Sequence, residues 1–102
     1  MYQLKEGEKR TIRAEVKRVT GSGAISLTTP QRRILNSTHA LVATFDWAAA
    51  AWDSATNEIS ALFDSTATGL TAVGIYYMQF RGVIGAERYE IEIPVNVSEW
   101  GP

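Results

Sequence analysis

Cysteine is absent from the sequence, which removes disulfides and thiolate metal ligands at once and suits synthesis in a reducing cytosol. Histidine occurs once, at His39. A nucleophile–base pair or an imidazole metal site would therefore have to be built around that single ring, with Asp46 the nearest carboxylate in sequence. Long hydrophobic runs are missing too. The longest, Trp47–Trp52, is far short of the roughly 20 residues that cross a bilayer as a helix. The opening MYQLKEGEKR is charged and has no apolar stretch, so no secretory leader is expected. No excess of one charge exists either. Ten Lys and Arg stand against eleven Asp and Glu, net −1, which weighs against a general nucleic-acid binder. No nucleic-acid partner, membrane partner, cofactor or metal is expected.

What is present is a chain of 102 residues, 45% apolar and 21% charged. That is the composition of one globular domain, long enough to bury about 60% of its extended-chain surface in a single two-layer core. Residues 1–10 are expected as an extended, charged lead-in, and 11–102 as the domain. Charge is uneven along the chain. Residues 1–45 carry eight Lys/Arg and three Asp/Glu, net +5, and residues 46–102 carry two and eight, net −6. Strands that pair across the two halves would interleave these charges. Polar faces stacking on neighbouring copies would instead keep them apart.

Two-residue alternation dominates the pattern. RYEIEIPVNV places Tyr89, Ile91, Ile93, Val95 and Val97 on one side and Arg88, Glu90, Glu92, Pro94 and Asn96 on the other, and the strand is expected over 87–98. TIRAEVKRV (11–19), AISLT (24–28), ALVATFDW (40–47), EISALFD (58–64) and GIYYMQFRG (74–82) read as further strands. TGSG (20–23), DSATNE (53–58), STATG (65–69) and the segment around Gly85 read as connections. Pro30 should end its strand, because it has no N–H for a ladder. RRILNST (32–38) could be strand or loop, and the alanines at 48–51 leave a helix from about His39 to Ala55 as a rival to the strand. Pro94, in mid-strand, predicts that its strand lies at a sheet edge or carries a bulge, leaving backbone free for a partner. The expected core is Ile12, Ala14, Val16, Ile25, Leu27, Leu41, Phe45, Ile59, Phe63, Leu70, Tyr76, Met78, Phe80, Tyr89, Ile91, Ile93, Val95 and Val97, with Trp47 on a core parity. About seven short strands separated by turns predict an all-β, antiparallel sandwich.

Groups that could do chemistry are few. No G-x-S-x-G elbow exists, and GSG at 21–23 reads as a turn. Glu90 and Glu92 lie roughly 7 Å apart on one strand face, but alternating acids on such a face are ordinarily solvated. The basic pairs Lys9-Arg10, Lys17-Arg18 and Arg32-Arg33 lack the interleaved aromatics that stack bases. His39 is expected at the surface. Trp52 and Trp100 fit no clear core parity, and Ile75 and Tyr77 face away from the Tyr76 stripe. With Pro94 they form the candidate interface residues.

In LTAVGIYYMQF, the spacing Leu70–x–x–x–Gly74–x–Tyr76 matches the corner that enters a late strand of many β-sandwiches, where the tyrosine hydroxyl reaches back to upstream backbone. NEISALFDSTATGL runs into that corner, and a hairpin and the closing VNVSEW follow it. Over residues 57–98 this order resembles the small immunoglobulin-like modules of bacteriophage tails, and is similar to the amino-terminal domain of phage upper baseplate proteins. The resemblance implies an immunoglobulin-like sandwich and a non-enzymatic structural protein of the tail or baseplate. It would be located in the virion, or in the host cytoplasm before assembly, and would contact other phage structural proteins or further copies of itself. The alternative is a carbohydrate-binding sandwich that uses Trp52 or Trp100 as stacking platforms.

Overall fold

A computed structural model describes residues 1–17 and 25–99. The described residues form eight strands and no helix: β1 (Tyr2–Lys5), β2 (Lys9–Glu15), β3 (Leu27–Leu35), β4 (Ala48–Ala49), β5 (Ala51–Asp53), β6 (Glu58–Asp64), β7 (Gly74–Ile84) and β8 (Glu87–Ser98). They build a five-stranded sheet in the order β1-β8-β7-β3-β4 and a three-stranded sheet in the order β2-β6-β5. Every pairing is antiparallel except β1 with β8, which is parallel.

The alternation does what it implies. In β2 and β6 the register sets Ile12 opposite Ala61 and Ala14 opposite Ile59, and Ile12, Ile59 and Phe63 are fully buried. In β7, Tyr76, Met78 and Phe80 turn inward, and in β8 Val95 and Val97 do. Both sheets thus give one face to a shared core, where the Phe63 and Tyr76 rings meet at 5.5 Å and 59°, a tilted geometry favourable to aromatic pairs. Gly82 is inward where a side chain would not fit. A Cβ there would lie 2.7 Å from Leu27 Cδ2.

The corner before β7 explains its residue types. Leu70 is fully buried. Gly74 has φ 141°, a backbone region that side-chain-bearing residues avoid. The Tyr76 hydroxyl donates to the Ala72 carbonyl at 2.7 Å, and burial raises its pKa, which keeps the donor proton in place. The β7–β8 hairpin turns in two residues, with Ile84 opposite Glu87 and Gly85 at φ 63°, as tight hairpins require.

Several expectations are corrected. About seven strands were expected and eight form among the described residues, one of them parallel to its neighbour. Residues 1–10 are not a lead-in. They supply β1 and the start of β2, and Leu4 is buried. The Tyr2 hydroxyl accepts from the Arg13 amide at 3.1 Å and lies 3.2 Å from the Arg13 carbonyl, joining the two sheets. Pro30 does not end its strand. β3 runs through it by a bulge, with Thr28 opposite Val83 and Gln31 opposite Arg81, and Thr29 at φ 51° absorbs the extra residue. Residues 32–35, left open between strand and loop, are strand.

Residues 40–47 are not a strand. The Asn36 side chain accepts from the Thr38 and Ala40 amides, His39 has φ 62°, and Phe45 N–H donates to the Val42 carbonyl, so the segment turns back on itself. Turning shifts the parity. Val42 is buried and Leu41 is 42% exposed, the reverse of the expected core, while Ile34 and Leu35 are buried in its place. The 20–23 turn lies outside the described residues.

Candidate functional site

The outer face of the five-stranded sheet carries the densest set of interacting polar and aromatic side chains. Since β7 sends Tyr76, Met78 and Phe80 inward, it must send Ile75, Tyr77, Gln79 and Arg81 outward. Register aligns Gln31 and Glu90 with Arg81, Arg33 and Glu92 with Gln79, and Pro94 with Tyr77. Three strands thereby present glutamines, arginines and glutamates in adjacent rows.

Trp47 lies over this face. The loop from Asn36 returns the chain to β4, and the Asp46 carboxylate accepts from the Trp47 amide at 2.7 Å. Two guanidinium carbons lie near the indole, Arg81 at 3.9 Å and Arg33 at 4.7 Å from a ring centroid, within cation–π range. Both arginines are braced. Arg33 Nε donates to Gln79 Oε1 at 2.6 Å, Gln79 Nε2 donates to Glu92 Oε1 at 3.0 Å, and Arg81 Nε donates to Gln31 Oε1 at 2.8 Å. His39 extends the chain of contacts. Its ring stacks on Tyr77 at 4.0 Å and its Nε2 is 3.2 Å from Glu92 Oε1. A shallow depression of about 260 Å³ lies among Arg33, Trp47, Gln79, Glu90 and Glu92. On the opposite, inward side of β3, where Arg32 is aligned with Phe80, burial lowers the pKa of Arg32, whose Nη1 donates to the Asp46 carbonyl at 2.8 Å. Burial also raises the pKa of Tyr89 on the inward side of β8.

Beside this face lies an open backbone edge. β1 pairs with β8 only from Tyr2 opposite Val95 to Lys5 opposite Ser98, so residues 87–94 have no strand on that side among the described residues. The Ser98 carbonyl accepts from Glu6 N–H at 2.9 Å, which fixes the direction of the even-numbered backbone groups as away from β7. Pro94 shares that direction, so its missing N–H costs the β7 ladder nothing, and it stands where the open edge gives way to β1. The edge expected from Pro94 is present for that half of β8. The other half is covered.

The candidate interface residues divide. Ile75, Tyr77 and Pro94 come together on the outer face, with Tyr77 directly opposite Pro94. Trp52 does not join them. It lies on β5 opposite Ile59, half-buried against the core from the smaller sheet. Trp100 lies outside the described residues. Trp47, expected on a core parity, is the described tryptophan on the outer face, because the 40–47 turn breaks the alternation that placed it inside. Gln31, Gln79 and Arg81 were not singled out from the sequence, and Arg33 only as half of the Arg32-Arg33 basic pair. The available signal was the polar pair Gln79 and Arg81 on the outward parity of β7. No three or more His, Asp or Glu residues are grouped to hold a metal ion among the described residues. No described helix is long and apolar enough to cross a membrane.

Comparison with protein-family models, with curated proteins and with solved structures finds no match to this chain.

Proposed function

We propose that this chain is an immunoglobulin-like β-sandwich that serves as a non-enzymatic structural module of a bacteriophage tail or baseplate, working through protein–protein contacts. The observation that carries the reading is the strand order combined with the tyrosine corner. The reading is supported by the sheet orders β2-β6-β5 and β1-β8-β7-β3-β4, since immunoglobulin-like domains split their strands between two sheets in a comparable way, with an added strand beside the third in the variable type. Tyr76 makes the corner hydrogen bond at the start of the penultimate strand. The virion assignment comes from the resemblance over residues 57–98. The contact role is supported by the outer face, where Trp47, Tyr77, Arg33 and Arg81 are residue types enriched in protein interfaces.

Mass spectrometry of purified particles from the encoding phage or prophage tests the assignment, together with the identity of the flanking genes. The expected result is the chain in the particle and tail or baseplate genes on either side. Its absence from intact particles sinks the reading.

A carbohydrate-binding role has one observation in its favour, the depression beside Trp47 with Glu90, Glu92 and Gln79 at its rim. The tryptophan concerned is then Trp47 and not Trp52. Two guanidinium groups already occupy space against its ring, leaving less aromatic surface for a sugar. A glycan array without signal removes this role.

A further inference from the structure

We propose that the outer face of the five-stranded sheet is a self-complementary interface through which two copies of this chain pair about a twofold axis. The inference rests on the contact-module reading and names its partner.

Charge layout carries it. β3 and β7 contribute Arg33 and Arg81 as a cationic row, and β8 contributes Glu90 and Glu92 as an acidic row one to two strand spacings away, roughly 5–10 Å. Arg81 and Glu90 are directly opposite in register, yet no ion pair forms between them. Arg81 turns instead to Gln31 and Trp47, and Glu90 is exposed with no hydrogen bond or ion pair to any described residue. A twofold axis lying in the interface along the β7–β8 seam carries each copy's β8 over the other's β7, which sets Glu90 over Arg81 and Glu92 over Gln79. Glu90 then meets the partner copy's Arg81, twice over, in an isologous contact.

Two further properties fit a partner of the same kind. The side chains are already tied to one another through Arg33–Gln79–Glu92 and Arg81–Gln31, so little ordering cost remains to be met on binding. The face is also large enough. Only β3, β7 and β8 run the length of the face, β1 and β4 being four and two residues long; three strand widths of about 4.8 Å by the 11 residues of β7 at about 3.3 Å each give roughly 500 Å² per copy. Two such faces bury about 1,000 Å², the lower bound for a specific interface.

Sedimentation velocity up to roughly 1 mM protein, where even a millimolar Kd leaves dimer detectable, reads the outcome. The expected result is a dimer that added salt weakens. Arg81→Glu and Glu90→Arg should each loosen it by about 100-fold or more, since each sets like charges against each other twice. An equimolar mixture of the two variants should recover the dimer, because every cross-copy pair is then opposite in sign. Arg13→Glu and Glu15→Lys, exposed on the smaller sheet, serve as charge-matched controls that leave the dimer unchanged alone or mixed. Near-UV circular dichroism verifies that each variant is folded. A wild-type chain that stays monomeric, or a mixture no tighter than its components, overturns the proposal. A monomer that is nevertheless found in purified particles removes only the second copy as partner. A dimer absent from particles removes only the virion reading.

Discussion

Tyr76 joins two jobs in one side chain: its ring tilts against Phe63 in the core while its hydroxyl holds the Ala72 carbonyl at 2.7 Å. Tyr76→Phe keeps the first and deletes the second. Urea unfolding should show a loss of about 0.5–1.5 kcal/mol, the net worth of one hydrogen bond whose acceptor water can reach, with an unchanged m-value. Asp64 offers a second residue-scale test. Its carboxylate accepts from the Thr66 hydroxyl at 2.6 Å and the Thr66 amide at 2.9 Å. These bonds, with Lys9 at 3.8 Å, hold its pKa below the ordinary carboxylate value. A depressed carboxylate favours the folded state above its unfolded pKa, and that contribution is lost as pH falls through the folded value. Thr66→Val removes the first of these bonds and leaves the amide. An NMR titration should therefore show the Asp64 midpoint moving up, part of the way to the ordinary value. Leu70, Gly74 and Tyr76 were legible in the sequence because each position demands a property few residues supply: a buried aliphatic, a positive φ, and a ring with a hydroxyl.

Among the elements, β6 and β8 were readable to their ends because their alternation is unbroken and one face of each is buried. β1 was not. YQLK is too short to show a period, and its burial is decided by the parallel pairing with residues 95–98 of β8. Leu4→Ala should cost about 2–5 kcal/mol in urea or thermal unfolding, as expected for a fully buried leucine. A cost near zero would return residues 1–10 to the status of a lead-in. The 40–47 segment failed for another reason. Its residues are strand formers on an apparent period of two, but the Asn36 side chain and the left-handed His39 impose a turn. Local hydrogen bonds from an asparagine outcompete a ladder that such a segment would have to form with distant chain.

For the whole molecule, the uneven charge of the two halves largely disappears through pairing. β2 from the basic half lies beside β6 from the acidic half, and β3 lies beside β7, with Lys9 reaching Asp64 across the join. What survives is the polarity across the outer face of the larger sheet. The two described tryptophans now separate core from contact surface. Trp52→Ala removes a ring packed on the core from the smaller sheet and should lower stability by about 2–4 kcal/mol, toward the lower end of the range for aromatic truncation because the ring is only half-buried. Trp47→Ala, on the outer face, should cost under about 1.5 kcal/mol, the scale of its cation–π contacts, while weakening self-association. Thermal melts and sedimentation on the same pair of variants check both halves of this contrast.

The amino-acid sequence by itself determined that this chain forms strands, which side of β6, β7 and β8 faces the core, and how the corner at 70–76 is made. Those features depend on neighbours two to six residues away. Only the tertiary structure decided that Tyr2–Lys5 closes part of the β8 edge, that residues 87–94 have no strand beside them on that edge among the described residues, and that Trp47 lies between two arginines on an outer face. Each of these is set by pairing between residues far apart in the chain, and a two-residue period carries no record of which distant strand lies alongside.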